Sequence, residues 1–372
     1  MPECEKIAEG LCNQIIAWKK YPQFAISIPK YIQETLYGVN LGIFIAQYSY
    51  LSSLRKVNVP EGQTWYLIPE VHLLAGFLSL ILSEASAASF LPHIVDTYSI
   101  MMGTSGIMRI MDRIGSRDAT SVLDADTYLM NNRFDADIFD CMFFQVVYTL
   151  CVLYDVLGFH HNDLHWSNIL LQFSKVGNHM NYCINDTMAI RIPWCGFVAK
   201  IIDFDMSSLQ FDTIHIMSSP VLISNARRKG IGLQSVVGDV TNMVRSLYRF
   251  IYSKAKGEYM NEYADSVTAN SIAWTMIQDY VSRHSQYKYR SPTESFRHRV
   301  EMIYAEISEI DMEKAQDFWT FENLVEYYST KYTTMFIPED VPKEIDPTKA
   351  TEMVWIGRLD QKEEFRQRLG LG

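Results

Sequence analysis

The sequence predicts an α+β fold, with strands gathered in the first third of the chain and helices dominating the rest. Three observations carry this expectation. Residues 31–59 (YIQETLYGVNLGIFIAQYSYLSSLRKVNV) are rich in β-branched and aromatic side chains and are broken by Gly38-Val39-Asn40, the composition of strands and hairpins. Residues 137–157 repeat apolar side chains at helical period, from Ile138 and Phe139 through Val146 and Val147 to Val156 and Leu157, on a face wide enough for a buried helix. Further helical segments run from Gly238 to about Tyr328. With 372 residues, 48% hydrophobic and 20% charged, the chain can bury one large core or two lobes.

Charge and cysteine usage narrow the classes. A formal net charge of −10 argues against nucleic acid as the main partner. The six cysteines (Cys4, Cys12, Cys141, Cys151, Cys183, Cys195) form no C-x-x-C pair, and several sit in apolar surroundings. They read as reduced, buried thiols of an intracellular, cytoplasmic protein rather than a disulfide framework or zinc site. The acidic N-terminus, MPECEKIAEGLCNQ, is too polar for a signal peptide. The apolar stretches near Leu73–Leu82 and Met142–Leu157 are interrupted by polar residues, so no membrane span is expected. The composition says nothing of oligomeric state.

Taken in order, residues 1–30 read as an N-terminal extension with a short leading helix and a Pro-bounded segment. Residues 31–111 read as a small β-rich lobe. Within it, Pro69-Glu70 suits the first turn of a helix that continues through Leu73, Leu74, Phe77, Leu78 and Ile81. Residues 90–98 read as a turn into a strand that pairs with Ile107–Met111. The polar, Gly-containing stretch from Asp112 to Arg117 reads as a connection, which places the boundary near Asp112.

Residues 112–335 read as a larger, mainly helical lobe. Asp135 or Asp137 caps its long helix, and Gly158 ends it. After Leu171 a polar insertion and a hairpin lead to the strand Ala199–Ile202. The basic cluster Arg227-Arg228-Lys229 and the patch from Arg283 to Arg290 read as solvated surface, or as a contact for an acidic partner. Residues 336–372, rich in Pro and charge, read as a tail wrapping the surface.

Two stretches carry chemistry. His160-His161-Asn162-Asp163-Leu164-His165-Trp166-Ser167-Asn168 follows the long helix, and Lys200-Ile201-Ile202-Asp203-Phe204-Asp205 ends an apolar strand on an acid. Together they spell H-x-D-x-x-x-x-N followed by D-F-x, and they resemble the catalytic loop and metal-binding segment of eukaryotic-type protein kinases. The form D-L-H-W-x-N-x-L-L is similar to haspin kinases. So are the insertion from Tyr182 to Gly196, the approach Ile201-Ile202-Asp203, and Leu67-Ile68-Pro69-Glu70. The D-F-D ending and the divergent small lobe resemble the serine/threonine kinases of large DNA viruses.

The resemblance implies a bilobal kinase fold, with ATP and Mg²⁺ as cofactors and a protein as substrate. It implies that Asp163 is the catalytic base, that Asn168 and Asp203 hold Mg²⁺, and that His161 braces the loop. Glu70 is the helix acid that pairs with a strand lysine, for which Lys56 is the candidate. Asp239 is the candidate for an acid that hydrogen-bonds the loop backbone, with a simple N-cap as the alternative. Asn162, standing where activation-loop-regulated kinases carry Arg, implies constitutive activity. Asp205 replaces a Gly and implies a fixed rather than a flipping segment. For a viral member the location is host cytoplasm or virion.

Departures keep two alternatives open. No G-x-G-x-x-G is present, since Gly38 and Gly42 are spaced G-x-x-x-G, and Lys56 lies in no V-A-I-K. These features fit an inactive, pseudokinase-type scaffold. A small-molecule phosphotransferase would share the H-x-D-x-x-x-x-N loop, against which Trp166 and the insertion argue. His161 and His165 are four residues apart, but crowded with His160 in one loop beside an acid they lack the helix that an i, i+4 zinc pair needs.

Overall fold

A computed structural model describes residues 4–9, 13–18, 21–29, 55–57, 64–68, 75–83, 91–103, 106–112, 122–131, 135–173, 179–211, 214–218, 236–247, 270–285, 296–307, 309–312, 314–337 and 354–357. They form a mixed helix-and-sheet protein with four small sheets. Gly38, Gly42, Glu70 and the cluster Arg227-Arg228-Lys229 lie outside the described residues.

The first sheet overturns the reading of residues 1–30 as an extension with a leading helix. These residues supply three strands, β1 (Cys4–Glu9), β2 (Asn13–Trp18) and β3 (Tyr21–Pro29). The physical reason is legible afterwards. Phe24, Ile26 and Ile28 alternate with Ala25 and Ser27, the period of a strand rather than a helix.

Further along, β4 (Arg55–Val57) and β5 (Thr64–Ile68) precede helix α1, described over 75–83. The pair expected around residues 97–111 is the hairpin β6 (Thr97–Gly103) and β7 (Gly106–Asp112). The five-stranded order is β1-β2-β3-β7-β6, antiparallel throughout. Helix α1 packs on this sheet, so close that a Cβ on Gly76 would come within 3.1 Å of Ile100.

The second half is organised around one helix. After β8 (Val122–Asp124) and α2 (Ala125–Asn131), α3 runs from Ala136 to Leu157. Asp135 caps it, its carboxylate accepting the N–H groups of Asp137 and Ile138 at 2.8 and 3.1 Å. From the sequence, polar interruptions in the stretch Met142–Leu157 argue against a membrane span. The 22 residues of α3 are in fact long and apolar enough. Within the structure Phe139, Met142, Phe143, Val146, Val147, Leu150 and Leu153 are fully buried in the main core. The buried Asp140 of α3 accepts Ser271 Oγ, the backbone N–H groups of Ile272 and Ala273, and Lys331 Nζ. It thereby fixes α5 (Ile272–His284) against the core.

Short strands then deliver the candidate site. β9 (Ile169–Phe173) pairs with β8 and with β12 (Phe197–Ile201), and the hairpin β10 (His179–Cys183)/β11 (Met188–Pro193) lies between them in sequence. β13 (Ser208–Phe211) and β14 (Ile214–Ser218) follow, and β14 pairs in parallel with β5, next to β4. Helices α4 (Val237–Ser246), α6 (Phe296–Ile307) and α7 (Phe321–Ser329) complete the helical part, with α5 and α7 packed on α3.

The tail is a second correction. β15 (Thr333–Phe336) pairs with β11, and β16 (Val354–Ile356) adds in parallel to β10. Ile356 is fully buried, and Gly357, at φ 74°, sits where a Cβ would fall 2.0 Å from Tyr148 Oη. This part of the tail is inserted into a sheet rather than laid over the surface. Cys141, Cys151 and Cys183 are free and buried, as the sequence reading expected, and Cys195 is free and half-buried. Burial pushes the Cys151 thiol up, which keeps it an inert core group.

Candidate active site

The loop of residues 160–168 begins where α3 stops. Gly158 takes the left-handed conformation, φ 56°, and its N–H bonds back to Tyr154 at 2.7 Å. Here glycine is needed twice. The positive φ favours it, and a Cβ would lie 1.9 Å from the carbonyl oxygen of Gln210. That close approach lets β13 zip onto the start of the loop: Gln210 N–H bonds to Gly158 O at 2.9 Å, and His160 and Ser208 exchange N–H···O bonds of 2.9 and 2.8 Å.

His161 is buried and has a defined tautomer. Its Nε2 lies 2.9 Å from the Ile202 carbonyl, which only accepts, so Nε2 carries the proton. Nδ1 then accepts the N–H of Asp163 at 3.4 Å. The ring also packs on Phe204 and Phe159, centroids 5.7 and 6.4 Å away. One imidazole thus links the loop to the segment carrying Asp203. Ser207 Oγ adds a bond to the His161 carbonyl at 3.2 Å, and Ile202 N–H bonds to Asn168 O at 3.0 Å.

Asn162 turns the chain at φ 63°. Asn tolerates this region better than most side chains. Its Nδ2 also donates to Met206 O at 3.1 Å and Ser208 Oγ at 2.9 Å, beyond Asp203. Asp239 serves the same turn. Its carboxylate accepts His161 N–H at 2.7 Å and Asn162 N–H at 2.6 Å while only 2% exposed. The alternative of an ordinary N-cap is therefore set aside: the N-cap of α4 is Val236.

After the turn, Asp163 projects an exposed side chain, while Leu164 and Trp166 on either side of it are fully buried. Burial of the neighbours fixes a carboxylate that itself faces solvent. Asn168 Nδ2 donates to the Asp163 carbonyl at 3.0 Å, which orients the amide and leaves its oxygen as a hard ligand.

Strand β12 brings Asp203 to the same place and is held on both sides. It pairs with β9, and Gln145 of α3 accepts Ala199 N–H at 2.7 Å. Across from β9, Ile201 N–H bonds to His93 O at 2.7 Å, and His93 Nδ1 donates to Ala199 O at 2.9 Å. Complete burial lowers the His93 pKa to about 3, so the ring is a neutral structural linker.

Asp203 adopts φ 67°, a strained conformation for a non-glycine residue, at the site itself. Its side chain is exposed at one edge but crowded by acids. Desolvation raises its pKa first, then the Asp205 charge, with a smaller push from Asp163, while the Arg109 charge opposes the rise. Asp163 and Asp203 are therefore near enough to feel each other.

The sequence reading missed Arg109. It lies on β7, 9% exposed, with Nη2 3.5 Å from Asp205 Oδ1 and Nη1 3.5 Å from Ser79 Oγ of α1. A signal was present: one charge inside the apolar run Ile107-Met108-Arg109-Ile110-Met111, where a buried cation requires a partner. Lys56, by contrast, lies on β4 at the edge of another sheet, paired with Tyr66 of β5. The structure brings Asp163, Asn168, Asp203, His161 and Asp239 together.

The donor set fits Mg²⁺. Among the described residues no three His, Cys, Asp or Glu side chains converge as a metal cage. Mg²⁺ takes one or two carboxylates and completes its shell with water and substrate phosphates. The Asp203 carboxylate and the oriented Asn168 amide oxygen are hard oxygen donors of that kind.

No protein-family model matches the sequence. A similar solved structure is the crystal structure of Rad53 kinase domain and SCD2, 11% identical, with 98% of each chain covered and a TM-score of 0.37.

Proposed function

We propose that this chain is a protein serine/threonine kinase, transferring the γ-phosphoryl group of ATP to a protein hydroxyl with Mg²⁺. The observation that carries this reading is the tie between the 160–168 loop and the Asp203 segment. His161 holds Ile202, Asn162 reaches Met206 and Ser208, and Asp239 fixes the turn between them. Such bracing presents two carboxylates and an amide in one rigid arrangement. Phosphoryl transfer requires little more of a protein than positioning and charge neutralisation.

In this reading Asp163 orients the acceptor hydroxyl and takes its proton. Asn168 and Asp203 would hold Mg²⁺, which when bound neutralises phosphate charge. The small lobe comprises β1–β3, β6, β7 and α1, the helical lobe follows, and the chain between them leaves β7 at Asp112. The β10/β11 hairpin between loop and Asp203 supports the haspin-like assignment; the D-F-D ending supports a kinase of a large DNA virus, for which the host cytoplasm or virion is the corresponding location.

A second reading, a pseudokinase-type scaffold, is favoured by one observation. In the kinase reading β3, third in its sheet and next to β7, takes the part of the strand that carries V-A-I-K, and its Phe24-Ala25-Ile26-Ser27 then has Ser in place of Lys. Thermal melting with Mg-ATP separates the two. A nucleotide-binding protein gains about 2.7 kcal/mol at a hundredfold excess over Kd, whereas a scaffold melts unchanged.

A further inference from the structure

The register of the five-stranded sheet places Arg109 of β7 directly across from Ser27 of β3. The position that lacks its lysine therefore faces a cation on the next strand. The guanidinium does not point idly into the core. It reaches Asp205, two residues past Asp203, and both side chains of the pair are only about one-tenth exposed. It also contacts Ser79 of α1, and its field acts on the Asp203 carboxyl. In a kinase the strand lysine is paired by an acid on the helix that packs on this sheet. Here the helix contact survives through Ser79, and the acid is Asp205, in the position of the D-F-G glycine. Loss of the lysine, an arginine facing the gap and an acid in place of glycine form one coherent exchange.

We propose that Arg109 is the phosphate-binding cation of the nucleotide site, with Asp205 as the acid that holds it in place. The inference rests on the kinase reading given above. Arginine suits the task, because its planar fork can bridge a carboxylate and a phosphate at once and stays charged when buried. A rigid guanidinium on a central strand also reduces dependence on a glycine-rich loop for holding the phosphates.

The test measures Kd for Mg-ATP and for adenosine on the full chain by calorimetry, in wild type, Arg109→Gln, Arg109→Lys and the double variant Arg109→Gln/Ser27→Lys. Arg109→Gln is expected to weaken ATP tenfold or more and leave adenosine within twofold. Arg109→Lys should retain most ATP affinity, and the double variant, with the cation moved to β3, should recover it. Wild-type ATP affinity in Arg109→Gln overturns the inference and leaves the kinase reading standing, as does an equal loss of ATP and adenosine, which marks a structural role. If wild type binds no Mg-ATP, the kinase reading falls and the inference with it. Should Arg109→Gln not fold, the guanidinium ¹⁵Nε resonance of wild-type Arg109, assigned by its loss in Arg109→Lys, decides the question. It is expected to shift with Mg-ATP and not with adenosine, and an unmoved resonance at saturating ATP overturns the proposal.

Discussion

Asp239 Oδ1 accepts the backbone N–H of Asn162 at 2.6 Å, at the residue where the loop turns through φ 63°. With Oδ2 on the His161 N–H, one buried carboxylate satisfies two consecutive backbone donors that have no strand or helix to join. Replacing Asp239 with Ala leaves both buried N–H groups unpaired, at roughly 1–3 kcal/mol each. Asp239→Ala is expected to lose about 2–5 kcal/mol of stability in chemical denaturation. Asp239→Asn, which keeps one acceptor, should lose less.

Gly158 supports a second prediction. Gly158→Ala must place a Cβ 1.9 Å from the Gln210 carbonyl at a positive φ. The strain alone is on the order of 1–3 kcal/mol, and β13 must shift away from the loop. The variant should melt several degrees lower and exchange the His160 and Ser208 amides faster by hydrogen exchange. A neutral Gly158→Ala would show that this junction is softer than described.

Asp203 gives a pH dependence with a definite sign. Desolvation and Asp205 raise its folded-state pKa above the ordinary carboxylate value. The protonated form is thus favoured by folding. Its stabilising contribution is complete below the unfolded value and disappears as pH rises through the raised folded value. Without a divalent cation, Asp203→Asn should melt higher than wild type at neutral pH, and the difference should vanish in acid. Added Mg²⁺ favours the ionised form, so its stabilisation of wild type should grow with pH over the same window. A difference between the two proteins that is constant with pH would contradict the crowding of acids at this site.

The parts of this arrangement that were legible beforehand share a physical cause. α3 announces itself through helical period and its caps Asp135 and Gly158, and the loop through polar residues that a buried helix would not otherwise tolerate at its end. What was not legible depends on pairing over long sequence distances. β3 shows strand alternation, but its partner β7 lies about eighty residues on, and without that register Ser27 and Arg109 have no relation. β16 is three residues long, too short for a period, and takes its order from pairing with β10, from burial of Ile356 and from Gly357 against Tyr148. Asp239 could be nominated by analogy, but its choice over a helix cap is decided by where its oxygens point.

The central claim is that the loop and Asp203 carry out phosphoryl transfer. Its most direct test is incorporation of the γ-phosphoryl label from ATP, with Mg²⁺, into the protein itself or a basic protein acceptor, comparing wild type with Asp163→Ala and Asp203→Ala. Asp163 is exposed, so Asp163→Ala should keep its fold within about 0.5 kcal/mol while losing transfer by about 10²–10⁴-fold, the usual worth of a positioned base. Asp203→Ala should be at least as inactive. Label incorporated by wild type and lost in both folded variants is the predicted result; equal incorporation in all three would contradict it.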